Sequence, residues 1–246
     1  MARKRRSGKT SSGTAHNTHI ISNMAYIKHP KEMLGKLRYF QYRDDKHDHI
    51  HHRRGQMRPR RWIDRGLGDS YRTIFNACQT HQSEHVFAWT WVVSPDPAVM
   101  ALVPEPQRRM LLERLTESLV EDYYEARDED TPSYSYVIHD RDASTGQQQL
   151  HTHVVLLGTV QTLSGDRPFY NNRKDGHIDL FNQLSEAVFK RELSELDIPW
   201  PTSKEMPAAL TLNPDPTAET LNLDPDVSPL APKVRSLLDQ WFGEIT

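Results

Sequence analysis

The sequence predicts an α+β fold: a central antiparallel sheet carrying two histidine-bearing strands, with helices packed on one face. Three observations predict it. Val86 to Ser94 (Val-Phe-Ala-Trp-Thr-Trp-Val-Val-Ser) is β-branched and aromatic and apolar on both faces, as an interior strand is. Two further apolar runs, 134–139 and 150–157, flank a polar bridge and suit an antiparallel pair. Two long amphipathic repeats, Pro104 to Arg127 and Ile178 to Leu196, supply helices to cover the sheet.

Composition bounds what surrounds that sheet. The 246 residues, 36% of them hydrophobic, suffice for one globular domain with polar extensions. The divisions fall as a basic arm over 1–19, a folded domain over 20–198 and a Pro-rich tail with a short C-terminal helix over 199–246. Cys78 is the single cysteine, which excludes an internal disulfide framework and fits a reducing cytoplasm. No apolar run approaches the ~18 residues of a membrane span, and Met1-Ala-Arg-Lys-Arg-Arg6 has no apolar segment behind it, so no membrane partner or signal peptide is expected. Residues 1–75 carry 18 Lys/Arg against 6 Asp/Glu, and 76–246 carry 13 against 27. A half that basic points to a polyanion such as nucleic acid. Folding of the basic half against the acidic one is the competing reading.

In chain order, the arm is polar and aperiodic, which predicts disorder. From Pro30 to Asp45, Met33, Leu34, Leu37 and Phe40 recur at helical spacing on a segment that also carries Lys36, Arg38, Tyr39, Tyr42 and Arg43. Tyr39 sits where the apolar stripe meets the basic side, a position that equally suits a half-buried packing residue. Lys46 to Arg61 holds four histidines in six residues, then Arg53, Arg54, Arg58, Arg60 and Arg61, and reads as a basic loop meeting phosphates. Trp62 to Gly68 is a turn into a helix capped near Asp69 or Ser70 and ending about Gln82. After the Val86 strand, Pro104 or Pro106 starts the first covering helix, with Met110, Leu111, Leu115, Leu119, Val120 and Tyr123 on its stripe. Thr162 to Gly176 is a polar loop with Arg173 and Lys174, and Ile178 to Leu196 is the second covering helix. Pro199 to Pro232 contains eight prolines and reads as a linker or wrapping tail, before Leu237, Leu238, Trp241 and Phe242 suggest a last short helix.

The histidines carry the chemistry. On a strand, His151 and His153 point to one face about 7 Å apart along the backbone. The antiparallel return brings His139 to the same place. Three imidazoles hold a divalent cation with open positions for a phosphodiester oxygen. Asp140 and Asp142 are candidates to orient His139 or to reach the cation indirectly. Histidines hydrogen-bonded in a polar core would give the same pattern.

Several features together resemble the relaxases, DNA-strand-transfer endonucleases of the HUH superfamily. His139 followed by Leu150-His151-Thr152-His153-Val154-Val155-Leu156 is similar to their three-histidine motif. Lys36-Leu-Arg-Tyr39-Phe-Gln-Tyr42-Arg43-Asp44 is similar to their N-terminal motif, in which Arg-Asp closely follows a tyrosine. Trp91-Val-Val-Ser94-Pro95 stands in the place of their middle motif, so the resemblance runs from about residue 33 to about residue 195. Thr152 stands where the family has an apolar residue, and the additional Tyr42 leaves two tyrosines as alternatives.

The resemblance implies metal-dependent, site- and strand-specific nicking and rejoining of single-stranded DNA at an origin of transfer or replication. Tyr39, or alternatively Tyr42, would be the nucleophile, and Asp142 would assist. His139, His151 and His153 would hold Mg²⁺ or Mn²⁺. A tyrosine's ordinary pKa of about 10 requires such activation. Lys36, Arg38, Arg43, Arg53, Arg54, Arg58, Arg60, Arg61, Arg173 and Lys174 would line a DNA groove on the sheet face opposite the helices. With no length left for a helicase or primase, accessory DNA-processing or coupling proteins are expected partners. A replication initiator or single-strand transposase of the same superfamily would use the same residues. Outside it stand a cupin-like metal protein and a non-catalytic DNA-binding protein.

Overall fold

The computed structural model describes residues 19–47, 61–141, 148–171 and 175–201. Their order is β1 (Ile20–Ile27), α1 (Pro30–His47), β2 (Trp62–Arg65), α2 (Tyr71–Thr80), β3 (Ala88–Pro95), α3 (Pro97–Leu102), α4 (Glu105–Glu125), β4 (Tyr134–Arg141), β5 (Gln148–Leu157), β6 (Thr159–Thr162), β7 (Gly165–Pro168) and α5 (His177–Ser194). Five strands form one sheet in the order β1-β3-β5-β4-β2, with every neighbouring pair antiparallel. The α+β class and the central place of the histidine strands are as the sequence predicts. An open sheet with β1 and β2 at its edges is not a cupin barrel.

Alternation along the strands sorts the side chains. Trp89, Trp91 and Val93 of β3, Tyr134, Tyr136 and Ile138 of β4, and Val154 and Leu156 of β5 share one buried core with α3, α4 and α5. Trp91 is its hub, 4.8 Å from the Phe181 ring of α5 and 5.2 Å from the Tyr123 ring of α4. The stripe of α4 uses Leu111, Leu112, Leu115, Leu119, Val120, Tyr123 and Tyr124; Met110, placed on it from the sequence, is 45% exposed.

The opposite face is covered as well. Met33, Leu37 and Phe40 of α1 and Ile74 and Cys78 of α2 bury themselves against Val137, Val155 and Leu157. Their apolar stripes need a partner, and this face of the sheet supplies it. Any ligand groove on this side therefore runs beside α1 and α2, not over a bare sheet.

The turn into α2 is fixed locally. Gly66 and Gly68 have φ of +97° and +135°, and a Cβ on Gly68 would stand 2.5 Å from Thr73 Oγ1, so glycine is required there. Asp64 Oδ1 accepts both glycine N–H groups at 2.8 Å. Ser70 then caps α2 reciprocally with Thr73, a device worth roughly 1 kcal/mol.

Elements absent from the sequence reading are short or lie at edges. In β1 only Ile20, Met24 and Ile27 are buried, at irregular spacing, and β2 has four residues with one buried. The segment read as a polar loop, Thr162 to Gly176, contains the turn and second strand of the β6–β7 hairpin, and that strand is exposed throughout. Trp200 and Pro201 still pack on the domain: the Trp200 ring lies 5.8 Å from Phe189, and His19 Nε2 donates to the Pro201 carbonyl at 3.1 Å. Residues 1–18 and 202–246, which include nearly all of the basic arm and the Pro-rich tail, lie outside the described residues.

Candidate active site

β4 and β5 pair His139 with His151 and Val137 with His153, so the three histidines meet on the face covered by α1. Their ring centroids lie 5.1 to 5.5 Å apart. Thr152, between two of them, points the other way and hydrogen-bonds Thr116 of α4 at 3.0 Å; Thr116 itself donates to the Leu112 carbonyl. The hydroxyl at this otherwise apolar position thus finds its partner in the helix layer.

Each histidine has a different setting. His139 is fully buried, and its Nδ1 donates to Asp44 Oδ1 at 2.9 Å, which leaves the Nε2 lone pair directed away from that bond. His151 Nδ1 donates to the Gln149 carbonyl at 2.8 Å, and its Nε2 accepts from Arg43 Nη1 at 2.8 Å. His153 stacks on Phe40, with centroids 4.2 Å apart and planes 16° from parallel. Both His153 ring nitrogens, and His139 Nε2, are buried without a hydrogen-bond partner among the described residues. Burial lowers the pKa of His139, opposed by the Asp44 carboxylate, and holds His153 well below the ordinary histidine range. For Asp44, burial pushes upward, but the hydrogen bond and charge of His139, with Arg61 and Arg43, bring its pKa below the usual value.

Uncharged imidazoles with buried, unpartnered nitrogens suit a divalent cation, so the donor set fits a metal. In the structure Arg43 holds the Nε2 of His151, and among the described residues no three His, Cys, Asp or Glu groups are grouped closely enough to hold a metal ion. A cation shared by all three histidines has to take Nε2 of His151 from the guanidinium.

α1 supplies the rest of the site. Successive helical residues are about 100° apart, so Tyr39 lies roughly 40° from Arg43, whereas Tyr42 is roughly 100° from it. The Arg43 guanidinium lies 5.9 Å from the Tyr39 ring centroid while it hydrogen-bonds His151, and so joins the tyrosine to the histidine cluster. Tyr39 is 39% exposed. Tyr42 turns instead toward α2, 6.1 Å from the Tyr71 ring.

Other predicted site residues fall differently. Arg43 is buried at the histidines, and Arg61 is bonded to Asp44 Oδ2 at 3.2 Å, so both act within the site's own network. Lys36 is partly buried beside Glu32, and burial lowers its pKa. Arg38 is exposed. Asp44, not Asp140, orients His139, and Asp140 is exposed. The signal for Asp44 was the Arg-Asp pair after Tyr39, one turn beyond Phe40; reading Asp140 from sequence proximity alone missed it. Asp142, Arg53, Arg54, Arg58, Arg60, Arg173 and Lys174 lie outside the described residues.

No family model matches the sequence, and no curated protein matches it. Solved structures do. The metal-bound structure of the conjugative relaxase TrwC in complex with oriT DNA aligns with a TM-score of 0.53 and 15% identity, over 76% of this chain and 74% of its own. The chain has the relaxase fold. The metal-free TrwC complex with oriT DNA gives a TM-score of 0.52 at 13% identity, over 76% and 74% of the two chains. TrwC complexed with a 27-mer DNA comprising the recognition hairpin and the cleavage site gives 0.50 at 14% identity, over 72% and 69%. At this identity the likeness is one of fold, and it agrees with the relaxase resemblance of the motifs. Among the described residues, no helix is long and apolar enough to cross a membrane.

Proposed function

We propose that this chain is a cytoplasmic, metal-dependent DNA relaxase that nicks and rejoins one strand at an origin of transfer during mobilisation of a plasmid or integrative element. The observation that carries the reading is the convergence of His139, His151 and His153 on the face lined by α1, with Arg43 bridging His151 and Tyr39. The neighbour TrwC, a conjugative relaxase in complex with oriT DNA, supports it.

In this reading His139, His151 and His153 would hold Mg²⁺ or Mn²⁺. When bound, the cation polarises a phosphodiester oxygen and offsets the charge that builds at phosphorus. Asp44 keeps the His139 proton on Nδ1 and the ring in orientation. Arg43, released from His151, offers two N–H groups to the phosphate beside Tyr39. Tyr39 Oη forms the bond to phosphorus as the P–O3′ bond breaks; the phenolic proton is lost and one is gained at the departing 3′ oxygen. A 5′-phosphotyrosine and a free 3′-hydroxyl result, and attack by that hydroxyl reverses the step. Asp142 is a candidate to receive the phenolic proton. Lys36, Arg38, Arg53, Arg54, Arg58, Arg60, Arg173 and Lys174 attract the strand's phosphates, while Arg61 stays on Asp44. Accessory proteins open the duplex and couple the nicked strand to transfer.

The test is an SDS-resistant protein–DNA adduct on single-stranded oligonucleotides tiling the DNA beside the gene. An adduct formed with Mn²⁺ and lost in EDTA is expected. Absence of any adduct across the tiling, with Mn²⁺ and with Mg²⁺, contradicts the reading.

A further inference from the structure

Beyond the histidine site, α1 and α2 present a second cluster to solvent. Tyr71, the first residue of α2, lies between two arginines: Arg38 Cζ is 5.5 Å and Arg72 Cζ 5.6 Å from its ring centroid. The Tyr42 ring stands 6.1 Å away at 68°. Arg72 Nε donates to Tyr71 Oη at 3.0 Å, and with Arg38 it brings the phenol's pKa below the ordinary value. The ring is carried on a fixed backbone. Tyr71 N–H donates to Gln41 Oε1 at 2.9 Å, the same oxygen accepts from Trp62 Nε1 at 3.2 Å, and Ser70 caps the helix beneath it.

Packing between two helices would account for one arginine on a phenol. It does not account for two exposed guanidiniums for which no carboxylate partner is found among the described residues. Cations interleaved with aromatic rings are what a single strand needs: ring faces for bases and positive charge for phosphates. The cluster also continues the site. On α1, Tyr42 is roughly 60° around from Tyr39 and Arg38 is its neighbour.

We propose that Tyr42 and Tyr71 form a stacking platform for a base of single-stranded DNA adjoining the phosphate at Tyr39, with Arg38 and Arg72 on that nucleotide's phosphates. The assignment rests on the DNA-processing function proposed above, and it gives Tyr42 a binding role in place of a nucleophilic one.

The experiment measures anisotropy of a labelled mixed-sequence single-stranded oligodeoxynucleotide, and of an abasic strand of equal length, in a Tyr39→Phe background that cannot trap DNA. Tyr71→Ala weakens binding of the base-bearing strand about tenfold, the scale of one lost base–aromatic stack, and leaves the abasic strand unaffected. Tyr71→Phe, which keeps the ring, binds like the parent. Arg38→Gln with Arg72→Gln lowers the log–log salt slope by about 1.4, or about 0.7 for each lost contact. This exposed pair decides the matter if Tyr71→Ala does not fold. Parent-like binding by Tyr71→Ala and by the arginine pair overturns the platform alone. A parent that binds no single strand overturns the platform together with the proposed function.

Discussion

Arg43 Nη1 lies 2.8 Å from Nε2 of His151, so a buried guanidinium occupies the nitrogen that a shared cation would take. At an effective dielectric constant of about 20, two unit charges about 4 Å apart repel by roughly 4 kcal/mol. Arg43→Gln is therefore expected to bind Mn²⁺ at least about tenfold more tightly than the parent by calorimetry. Unchanged or weaker binding by a folded Arg43→Gln protein shows that the guanidinium and the metal do not compete.

Asp44 works in the opposite direction. Its carboxylate orients His139 and is itself held by Arg61. Asp44→Asn keeps the shape and removes the charge, and a lost outer-shell partner of a metal-bound histidine costs about 10–100-fold in affinity. Mn²⁺ titration checks this, and parent affinity in Asp44→Asn excludes the orienting role.

The buried imidazoles make stability depend on pH. His139 and His153 have pKa values below the ordinary 6.5, burial being the first cause in both. Below about pH 6.5 the unfolded chain takes up protons that the native state refuses, so stability falls as pH falls. In EDTA, the thermal midpoint is expected to drop between about pH 7.5 and about pH 5.5. His153→Leu removes one such group and flattens the curve. A midpoint that rises on acidification contradicts the uncharged state of these rings. The lowered Asp44 pKa acts in a separate window, below 3.8.

Thr152 separates the two faces of β5. Thr152→Val loses its hydrogen bond to Thr116, while Thr116 keeps the Leu112 carbonyl. The expected cost is about 1 kcal/mol in denaturant unfolding, with Mn²⁺ affinity unchanged. A large loss of metal binding would mean that the two faces are coupled through the strand.

What the sequence reveals follows from where the signal is dense. The apolar runs around Trp91 and the two histidine strands announce the central sheet because both faces of β3 are buried. The convergence of His139, His151 and His153 follows from strand period and antiparallel return, with no tertiary knowledge. β2 and β7 are short and exposed, so neither leaves a periodic pattern. The cover of α1 and α2 on the histidine face was hidden because an apolar stripe does not name its partner. Arg43 was legible as a cation but not as a partner of His151, 108 residues away. Tyr71, in a segment read only for its cap, gave no sequence sign of its neighbours on α1.

The tyrosine joined to the histidines through Arg43 is expected to be the one that reacts. In the Mn²⁺ adduct assay, Tyr39→Phe is expected to abolish the SDS-resistant species, and Tyr42→Phe to retain it. An adduct that persists in Tyr39→Phe and disappears in Tyr42→Phe contradicts the account.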